Sequence, residues 1–245
     1  MRCRALRTLS LAIAVMLPLA APAASGGDIE LDAATHERDA GAEPTLAPVP
    51  DPPIEQGDVA TAYAELLDRL RDGGLVLLVR HERTTLDPTP DLENPMPSGC
   101  ERERNLSEVG RASAAAFGEV LDALAVPISV VMTSPYCRNV EHARLAFGRV
   151  DRITPALIGP DGQDRSFDDV REDLYRIVDG LDFTAGNAVL IAHGGNMMAL
   201  TKTMLDEGDA LVLRPREGGA FEVIARMPAA RWDELARAIK RRASS

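Results

Sequence analysis

The chain has 245 residues and a formal net charge of −11, with 27 lysines and arginines against 38 acids. The acidic excess persists in residues 59–245, which hold 23 basic and 29 acidic side chains. Such a surface offers no long-range attraction to nucleic acid or to anionic lipid, so we expect neither as a partner.

The first 25 residues have the composition of a secretory signal peptide. Arg2, Arg4 and Arg7 precede the apolar run LAIAVMLPLA, and the small residues APAAS follow it. That is the order of a basic region, a short apolar region and a cleavage site. Ten apolar residues are too few to span a bilayer, so no stable membrane insertion is expected. The pattern predicts a periplasmic or secreted protein.

Residues 26–57 form a second segment of distinct composition, rich in proline, alanine and acids. Residues 28–58 contain nine acids, a single arginine and few apolar side chains. A segment that buries so little apolar surface does not offset the entropy of its own ordering. We therefore predict a disordered linker, with His36 as a solvated side chain within it. The folded domain should span residues 58–245, which is long enough for one sizeable core.

Helical and strand patterns alternate after the linker. Short runs rich in valine, isoleucine and leucine predict strands at LVLLV (75–79), ISVVMT (128–133), AVLIA (188–192), ALVLR (210–214) and FEVIAR (221–226). Helical patterns cover residues 59–74, 106–125, 136–148, 167–181, 195–205 and 230–242. This alternation predicts a three-layer α/β/α fold with a mostly parallel central sheet. The last two strands follow each other directly, so one edge of the sheet should be antiparallel.

Basic and imidazole side chains follow three of the predicted strands. Arg80 and His81 come directly after the first strand, Arg138 lies near the start of the helix after the second, and His193 follows the third. In an open α/β sheet, ligands bind outside the carboxyl ends of the strands. We therefore expect these four side chains to meet in one site.

The motifs around these residues resemble a known family. LVRHERT, LSEVGRASA, MTSPYCRNVEHARLAFG and VLIAHGGNM occur in the order and spacing of the histidine phosphatase superfamily, which has the phosphoglycerate mutase-like fold. The resemblance covers residues 74–227. It is closest to short exported bacterial members that also carry a C…RNLS segment and a SPYCR segment. It implies an enzyme of that fold.

The resemblance also implies a role for each side chain. His81 would be the phosphoryl acceptor, and Arg80, Arg138 and His193 would bind the phosphate. The chemistry agrees, because a phosphoryl group in transfer spreads negative charge over oxygens that guanidinium groups bind bidentately. A neutral imidazole nitrogen can attack it, and His193 would add a positive charge without a metal. We therefore predict a metal-free, cofactor-free phosphatase that hydrolyses small phosphomonoesters through a phosphohistidine.

Two further segments offer candidate site residues. ERERNLS (101–107) lies where the family's substrate loop sits, so Arg104 and Asn105 are expected to contact the substrate, whereas Arg102 and the nearby acids are expected to be solvated. LIGPDGQDRSF (157–167) offers Asp161 and Asp164 as the general acid that protonates the leaving oxygen. Asp161 is preferred because Pro160 and Gly162 indicate an exposed turn, but both aspartates fit the alternative of simple loop acids equally well.

Two residues depart from the family pattern. Glu82 stands where glycine or alanine is usual, and its carboxylate would repel a phosphate unless the side chain points out of the pocket. His142 stands where the family has a threonine. We interpret His142 as a histidine on the exposed surface of its helix, with a contact behind Arg138 as the alternative.

The cysteines predict a disulfide. Cys3 lies in the signal peptide, which leaves Cys100 and Cys137, an even number in an exported protein. A bridge would fasten the predicted substrate loop beside Arg138, and closing such a loop stabilises a fold by roughly 2–4 kcal/mol. A nucleophilic cysteine is the rival interpretation, disfavoured because the histidines already supply a nucleophile.

Two other functions compete with the phosphatase. A metal site built from His81 and His193 would place two arginines against a cation, which is electrostatically unfavourable. A non-catalytic phosphate-binding or interaction protein on the same fold, with Glu82 marking lost activity, is the alternative from a different class. The natural substrate stays open among sugar phosphates, phosphorylated cell-envelope groups and phosphoproteins.

Overall fold

The computed structural model describes residues 58–85, 97, 99–160, 165–217 and 220–243. The predicted signal peptide (1–25) and linker (26–57) lie outside the described residues, and so do Asp161 and Asp164. All the described residues belong to one unit, Pro44–Ser245.

One six-stranded sheet forms the centre of the described part. Its strands are β1 (Val76–Arg80), β2 (Ile128–Thr133), β3 (Arg152–Ile153), β4 (Asn187–Ala192), β5 (Ala210–Pro215) and β6 (Phe221–Met227). Their order is β3-β2-β4-β1-β5-β6. The pairs β3–β2, β2–β4 and β4–β1 are parallel, whereas β5 is antiparallel to both β1 and β6. The predicted mostly parallel sheet with an antiparallel edge is confirmed.

Helices cover both faces of this sheet. They are α1 (Asp58–Asp72), α2 (Glu108–Ala123), α3 (Cys137–Phe147), α4 (Phe167–Asp179), α5 (Gly194–Thr201) and α6 (Ala229–Ala243). Side chains of α1, α2, α3 and α6 pack in one core with Leu77 and Val79, and those of α4 and α5 pack in a second core with Val76 and Leu78. Successive β1 side chains thus enter opposite cores, which confirms the predicted three layers.

Element boundaries follow local chemistry. Ser107 caps α2, because its side chain accepts a hydrogen bond from the Gly110 amide at 3.0 Å. The two-residue strand β3 was not predicted, since an exposed pair of residues carries no periodic signal. Helix α5 ends at Thr201 and not at the predicted residue 205, because Lys202 adopts a left-handed conformation with φ of 57°.

Among the helices of the described residues, none is long and apolar enough to cross a membrane.

Candidate active site

The carboxyl ends of β1, β2 and β4 meet at one edge of the sheet. Arg80 pairs in register with Ala192, so His81 and His193 emerge from neighbouring parallel strands. The His81 amide donates to the Ala192 carbonyl at 3.0 Å, and the two imidazole centroids are 5.4 Å apart. The first residues after these strands are therefore brought together, as the sequence pattern predicted.

His81 is buried and oriented by the backbone. Its Nδ1 is 2.9 Å from the carbonyl oxygen of Glu82, and because a carbonyl only accepts hydrogen bonds, Nδ1 must carry the proton. Burial lowers the pKa of His81 well below its usual value, and the nearby His193 and Arg138 lower it further. The ring is therefore neutral, with the lone pair on Nε2. That nitrogen is the one available for nucleophilic attack.

His193 is a neutral imidazole of the opposite tautomer. Its Nδ1 accepts from the Arg138 guanidinium at 3.4 Å, so its Nε2 donates to Ser134 Oγ at 2.7 Å. Burial lowers the pKa of His193 well below its usual value, and Arg138 and Arg80 lower it further. The expectation that His193 adds a positive charge is wrong, because two guanidinium groups lie close to a buried ring.

Two guanidinium groups, that of buried Arg138 and that of partly buried Arg80, supply the positive charge. Arg138 lies in the first turn of α3, donates to the Arg104 carbonyl at 3.3 Å and places its Cζ 4.3 Å from the centroid of the Tyr136 ring. Arg80 donates from Nη1 to the Leu205 carbonyl. Burial lowers the pKa of Arg80, but arginine stays charged at any physiological pH. Both groups are thus held in place by backbone acceptors.

The predicted substrate loop reaches the site through Arg104. Its Nη2 lies 3.3 Å from Glu207 Oε1. Asn105 instead stabilises the loop, since its Nδ2 donates to the carbonyls of Cys100 at 2.5 Å and Glu103 at 3.0 Å. The structure therefore places the Arg104 guanidinium against Glu207, and the Asn105 amide group on the loop's own backbone.

A disulfide joins this loop to α3. Cys100 and Cys137 are bonded, with their Cα atoms 5.5 Å apart, as the sequence predicted. Beside the bridge, the carboxylate of Glu103 accepts from the Cys137 amide at 2.7 Å. Arg102 and Glu101 are exposed as expected, but Glu103 is buried, so the prediction that all the acids here are solvated is wrong. The amide at the start of α3 gives the buried carboxylate its partner.

Glu82 and His142 form a buried pair behind the nucleophile. His142 is only 1% exposed, and its Nδ1 accepts from the Glu82 amide at 3.3 Å. The prediction of a surface histidine is therefore wrong. The Glu82 carboxylate is also buried, lies 3.6 Å from the Arg83 guanidinium and packs against Gly208, where an added Cβ would lie 2.5 Å from Oε1. Burial raises the pKa of Glu82 to about 7.

Glu207 was not predicted and lies at the centre of the site. Its Oε1 is 3.9 Å from both Arg80 Nη2 and His81 Nδ1, in addition to its contact with Arg104. Glu207 precedes a strand, whereas the predicted site residues follow strands or lie in the substrate loop. Because β5 runs antiparallel to β1, the loop before β5 reaches the same edge. The hairpin with β6 fixes the direction of β5 only relative to β6, so the sequence held no local signal that would have found Glu207.

Neither a protein-family model nor a curated protein matches the chain. Solved structures are similar to it. One is the protein histidine phosphatase SixA in complex with tungstate, at 18% identity over 64% of this chain and 97% of SixA, with a TM-score of 0.49. Another is YhfR from Bacillus stearothermophilus, at 19% identity over 62% and 95%, with a TM-score of 0.45.

A mycobacterial glucosyl-3-phosphoglycerate phosphatase is similar at 19% identity, over 63% of this chain and 96% of the other, with a TM-score of 0.44. Two of these three solved structures are thus of proteins named as phosphatases. At these identities, an argument about activity rests on the residues of the site itself.

Proposed function

We propose that the chain is an exported, metal-independent phosphatase of the histidine phosphatase superfamily, which hydrolyses phosphomonoesters through a phosphohistidine at His81. The observation that carries the proposal is the hydrogen bond from His81 Nδ1 to the Glu82 carbonyl. It leaves the Nε2 lone pair free in a site that also holds the guanidinium groups of buried Arg138 and partly buried Arg80. A neutral, oriented nucleophile beside fixed positive charge is what phosphoryl transfer requires.

The reaction has two steps. Arg80, Arg138 and Arg104 bind the phosphoryl oxygens while His81 Nε2 attacks phosphorus, the ester P–O bond breaks and the leaving oxygen takes a proton. Water then attacks phosphorus, the N–P bond breaks and His81 returns to its neutral form. We assign the proton donor of the first step to Asp161, with Asp164 as the alternative in the same loop.

Export is supported by two independent features. The first 25 residues have the order of a signal peptide. The disulfide between Cys100 and Cys137 is compatible with an oxidising compartment. A periplasmic or secreted phosphatase would meet small phosphorylated compounds outside the cytoplasm, and we propose these as its substrates.

Hydrolysis of p-nitrophenyl phosphate by the purified mature protein tests this function. Rapid quenching with labelled substrate, without acid, should trap an acid-labile, base-stable phosphate on the peptide containing LVRHER. His81→Ala should abolish both the adduct and turnover. His193→Ala should lower the rate by up to roughly 10²–10³-fold, because Arg138 loses the ring nitrogen that accepts from its guanidinium and orients it towards the phosphate. His36→Ala is the matched control, because it removes a histidine of the predicted linker.

The same experiment distinguishes a phosphatase from a non-catalytic phosphate-binding protein. Binding of inorganic phosphate without hydrolysis or adduct would favour the non-catalytic phosphate-binding protein. The Glu82 carboxylate, which motivates that alternative, lies against Gly208 and Arg83. Near wild-type turnover by His81→Ala would show that the nucleophile is assigned wrongly.

A further inference from the structure

Glu207 is a half-buried carboxylate that joins three parts of the site. Its side chain is 20% exposed. Oε1 lies 3.3 Å from Arg104 Nη2 and 3.9 Å from both Arg80 Nη2 and His81 Nδ1. Thr84 fixes its orientation, because Thr84 Oγ1 donates to Oε1 at 2.9 Å and the Thr84 amide donates to Oε2 at 3.3 Å. Because a carboxylate repels a bound phosphate, a negative charge at this place in the site requires an explanation.

The contact of Glu207 with Nδ1 argues against a role as proton donor to the leaving group. The leaving oxygen must lie in line with the attacking nitrogen, on the far side of phosphorus from Nε2. The ring nitrogen of His81 that Glu207 approaches is Nδ1, which faces away from Nε2. Glu207 therefore acts on the imidazole ring and not on the ester.

The charge on that ring changes during the proposed reaction. When the neutral ring attacks, the Nε2–P bond forms and the alkoxide leaves with the electrons of the P–O bond. Nδ1 keeps its proton, so the ring of the phosphohistidine carries one positive charge. When water attacks, a ring that is still protonated leaves as neutral imidazole, whereas a deprotonated ring must leave as an imidazolate, a far poorer leaving group. Hydrolysis of the intermediate therefore depends on the proton at Nδ1.

We propose that Glu207 is a positioning residue that serves as the counter-ion of phosphorylated His81 and keeps the proton on Nδ1 until water has attacked. The inference rests on the proposed phosphatase function. The Nδ1 proton is already bound by the Glu82 carbonyl at 2.9 Å, and the Glu207 carboxylate adds a full negative charge 3.9 Å from the same nitrogen. Opposite charge at that distance favours the protonated ring.

The other groups that face the ring oppose its positive charge. Arg80 on β1 and Arg138 on α3 lower the pKa of His81, and so does His193 at the start of α5. These groups are needed to bind the phosphate, but they would expel the proton from a phosphorylated ring. Glu207, from the loop before β5, offsets them at the nitrogen that carries the proton.

Pre-formed phosphoenzyme, isolated by rapid desalting of the full mature chain, provides the test. Its hydrolysis is followed from pH 5 to 9 in wild type and in Glu207→Gln. The glutamine keeps an acceptor for Thr84 but removes the charge. We expect the decline of the hydrolysis rate at high pH to begin at least about one pH unit lower in the variant, so that at pH 8 its phosphoenzyme hydrolyses about tenfold more slowly. At pH 5 the two rates should converge.

Two controls separate charge from structure. Asp206→Asn removes the charge of the exposed neighbouring side chain and should leave the pH profile unchanged. Glu207→Asp keeps the charge and should restore most of the rate at pH 8. If Glu207→Gln does not fold, Glu207→Ala is assayed with and without formate, which should accelerate hydrolysis at pH 8 by restoring a carboxylate.

The two possible failures are distinguishable. Absence of a phosphohistidine in wild type would overturn the proposed function and this inference with it. A phosphohistidine that forms normally but hydrolyses with the same pH profile in Glu207→Gln would overturn the inference alone. An equal loss of rate at every pH, together with a lower melting temperature, would show a purely structural role and would also overturn it.

Discussion

Burial favours the uncharged forms of His81 and Glu82, and it moves their pKa values in opposite directions. The pKa of His81 falls well below its usual value, whereas that of Glu82 rises to about 7. The neutral imidazole is the form that the proposed attack needs. The neutral carboxyl of Glu82 stabilises the fold, because the charge of Arg83 offsets only part of the cost of burying an ionised carboxylate there. One physical cause therefore prepares the nucleophile and leaves its neighbour sensitive to pH.

Glu82→Gln should stabilise the protein at alkaline pH. Since the folded-state pKa of Glu82 is raised from 4.5 to about 7, its favourable contribution is fully present below pH 4.5 and is lost as the pH rises through about 7. Above that pH, the variant should gain up to about 3 kcal/mol in free energy of unfolding over wild type. At pH 4.5 the two proteins should be equally stable. Denaturant unfolding at pH 4.5 and at pH 8 measures the difference.

Glu101→Gln is the matched control for this variant, because Glu101 is exposed. It should leave the free energy of unfolding unchanged at both pH values. The lowered pKa values of the buried histidines act in the opposite direction, since their contribution is fully present above about pH 6.5 and is lost as the pH falls below it towards the lowered folded-state pKa values. Subtracting wild type from the variant cancels that effect. A Glu82→Gln variant that is less stable at pH 8 would contradict the prediction.

Activity should need no divalent metal. Arg80, Arg138 and Arg104 already bring three positive charges to the pocket, and two of the guanidinium groups are fixed by backbone carbonyls. Dialysis against EDTA should therefore leave the hydrolysis rate of p-nitrophenyl phosphate nearly unchanged. The control is a dialysis against buffer alone. Complete loss of activity that zinc or magnesium restores would favour a metal site built from His81 and His193.

At the scale of elements, the residues that follow the strands were predictable from the sequence, whereas the buried polar face of α3 was not. Strands β1 and β4 are buried on both sides, and their apolar runs located His81 and His193 correctly. The buried face of α3 instead carries Arg138, Asn139 and His142. Hydrophobic periodicity cannot identify such a face, because its side chains are polar and are buried by the site itself. That is why the sequence pattern placed His142 on the surface.

The disulfide should act on the substrate loop more than on the nucleophile. It ties the start of that loop to the first residue of α3, next to Arg138. The Cys100→Ser/Cys137→Ser double variant should lose about 2–4 kcal/mol of stability, because a closed loop of 37 residues is released. Its KM should rise by more than its kcat falls, since Arg104 binds substrate from this loop. Steady-state kinetics and denaturant unfolding measure both effects.

The double variant also supplies its own control. Dithiothreitol should shift the KM of wild type towards that of the variant, and should have no effect on the variant. Unchanged KM in both the reduced wild type and the variant would show that the Arg138–Arg104 hydrogen bond holds the loop without the bridge.

At the scale of the whole molecule, the site is assembled from residues far apart in the chain. Arg80 ends β1, Arg104 lies in the loop before α2, Arg138 lies in the first turn of α3, His193 precedes α5 and Glu207 precedes β5. The order of the motifs predicted the sheet that brings the first four together. It did not reveal which loop enters from the antiparallel edge, because that depends on strand direction and not on local composition.

The described fold should not need the predicted signal peptide and linker. Its first element, α1, begins at Asp58, and the core uses α1 through Leu66 and Leu70. Cleavage of the purified protein at an engineered protease site before Asp58 should therefore leave the melting temperature unchanged and kcat/KM for p-nitrophenyl phosphate within about twofold, a change of about 0.4 kcal/mol in the activation barrier.

Removal of α1 as well is the matched comparison. Cleavage after Gly74 would strip the buried Leu66 and Leu70 from the core, and each buried leucine lost costs about 2–5 kcal/mol. The protein cut after Gly74 should unfold, whereas the protein cut before Asp58 should stay folded and active. If the cut before Asp58 lowered kcat/KM by more than about tenfold (about 1.4 kcal/mol), residues 1–57 would contribute to the site and the domain boundary would be wrong.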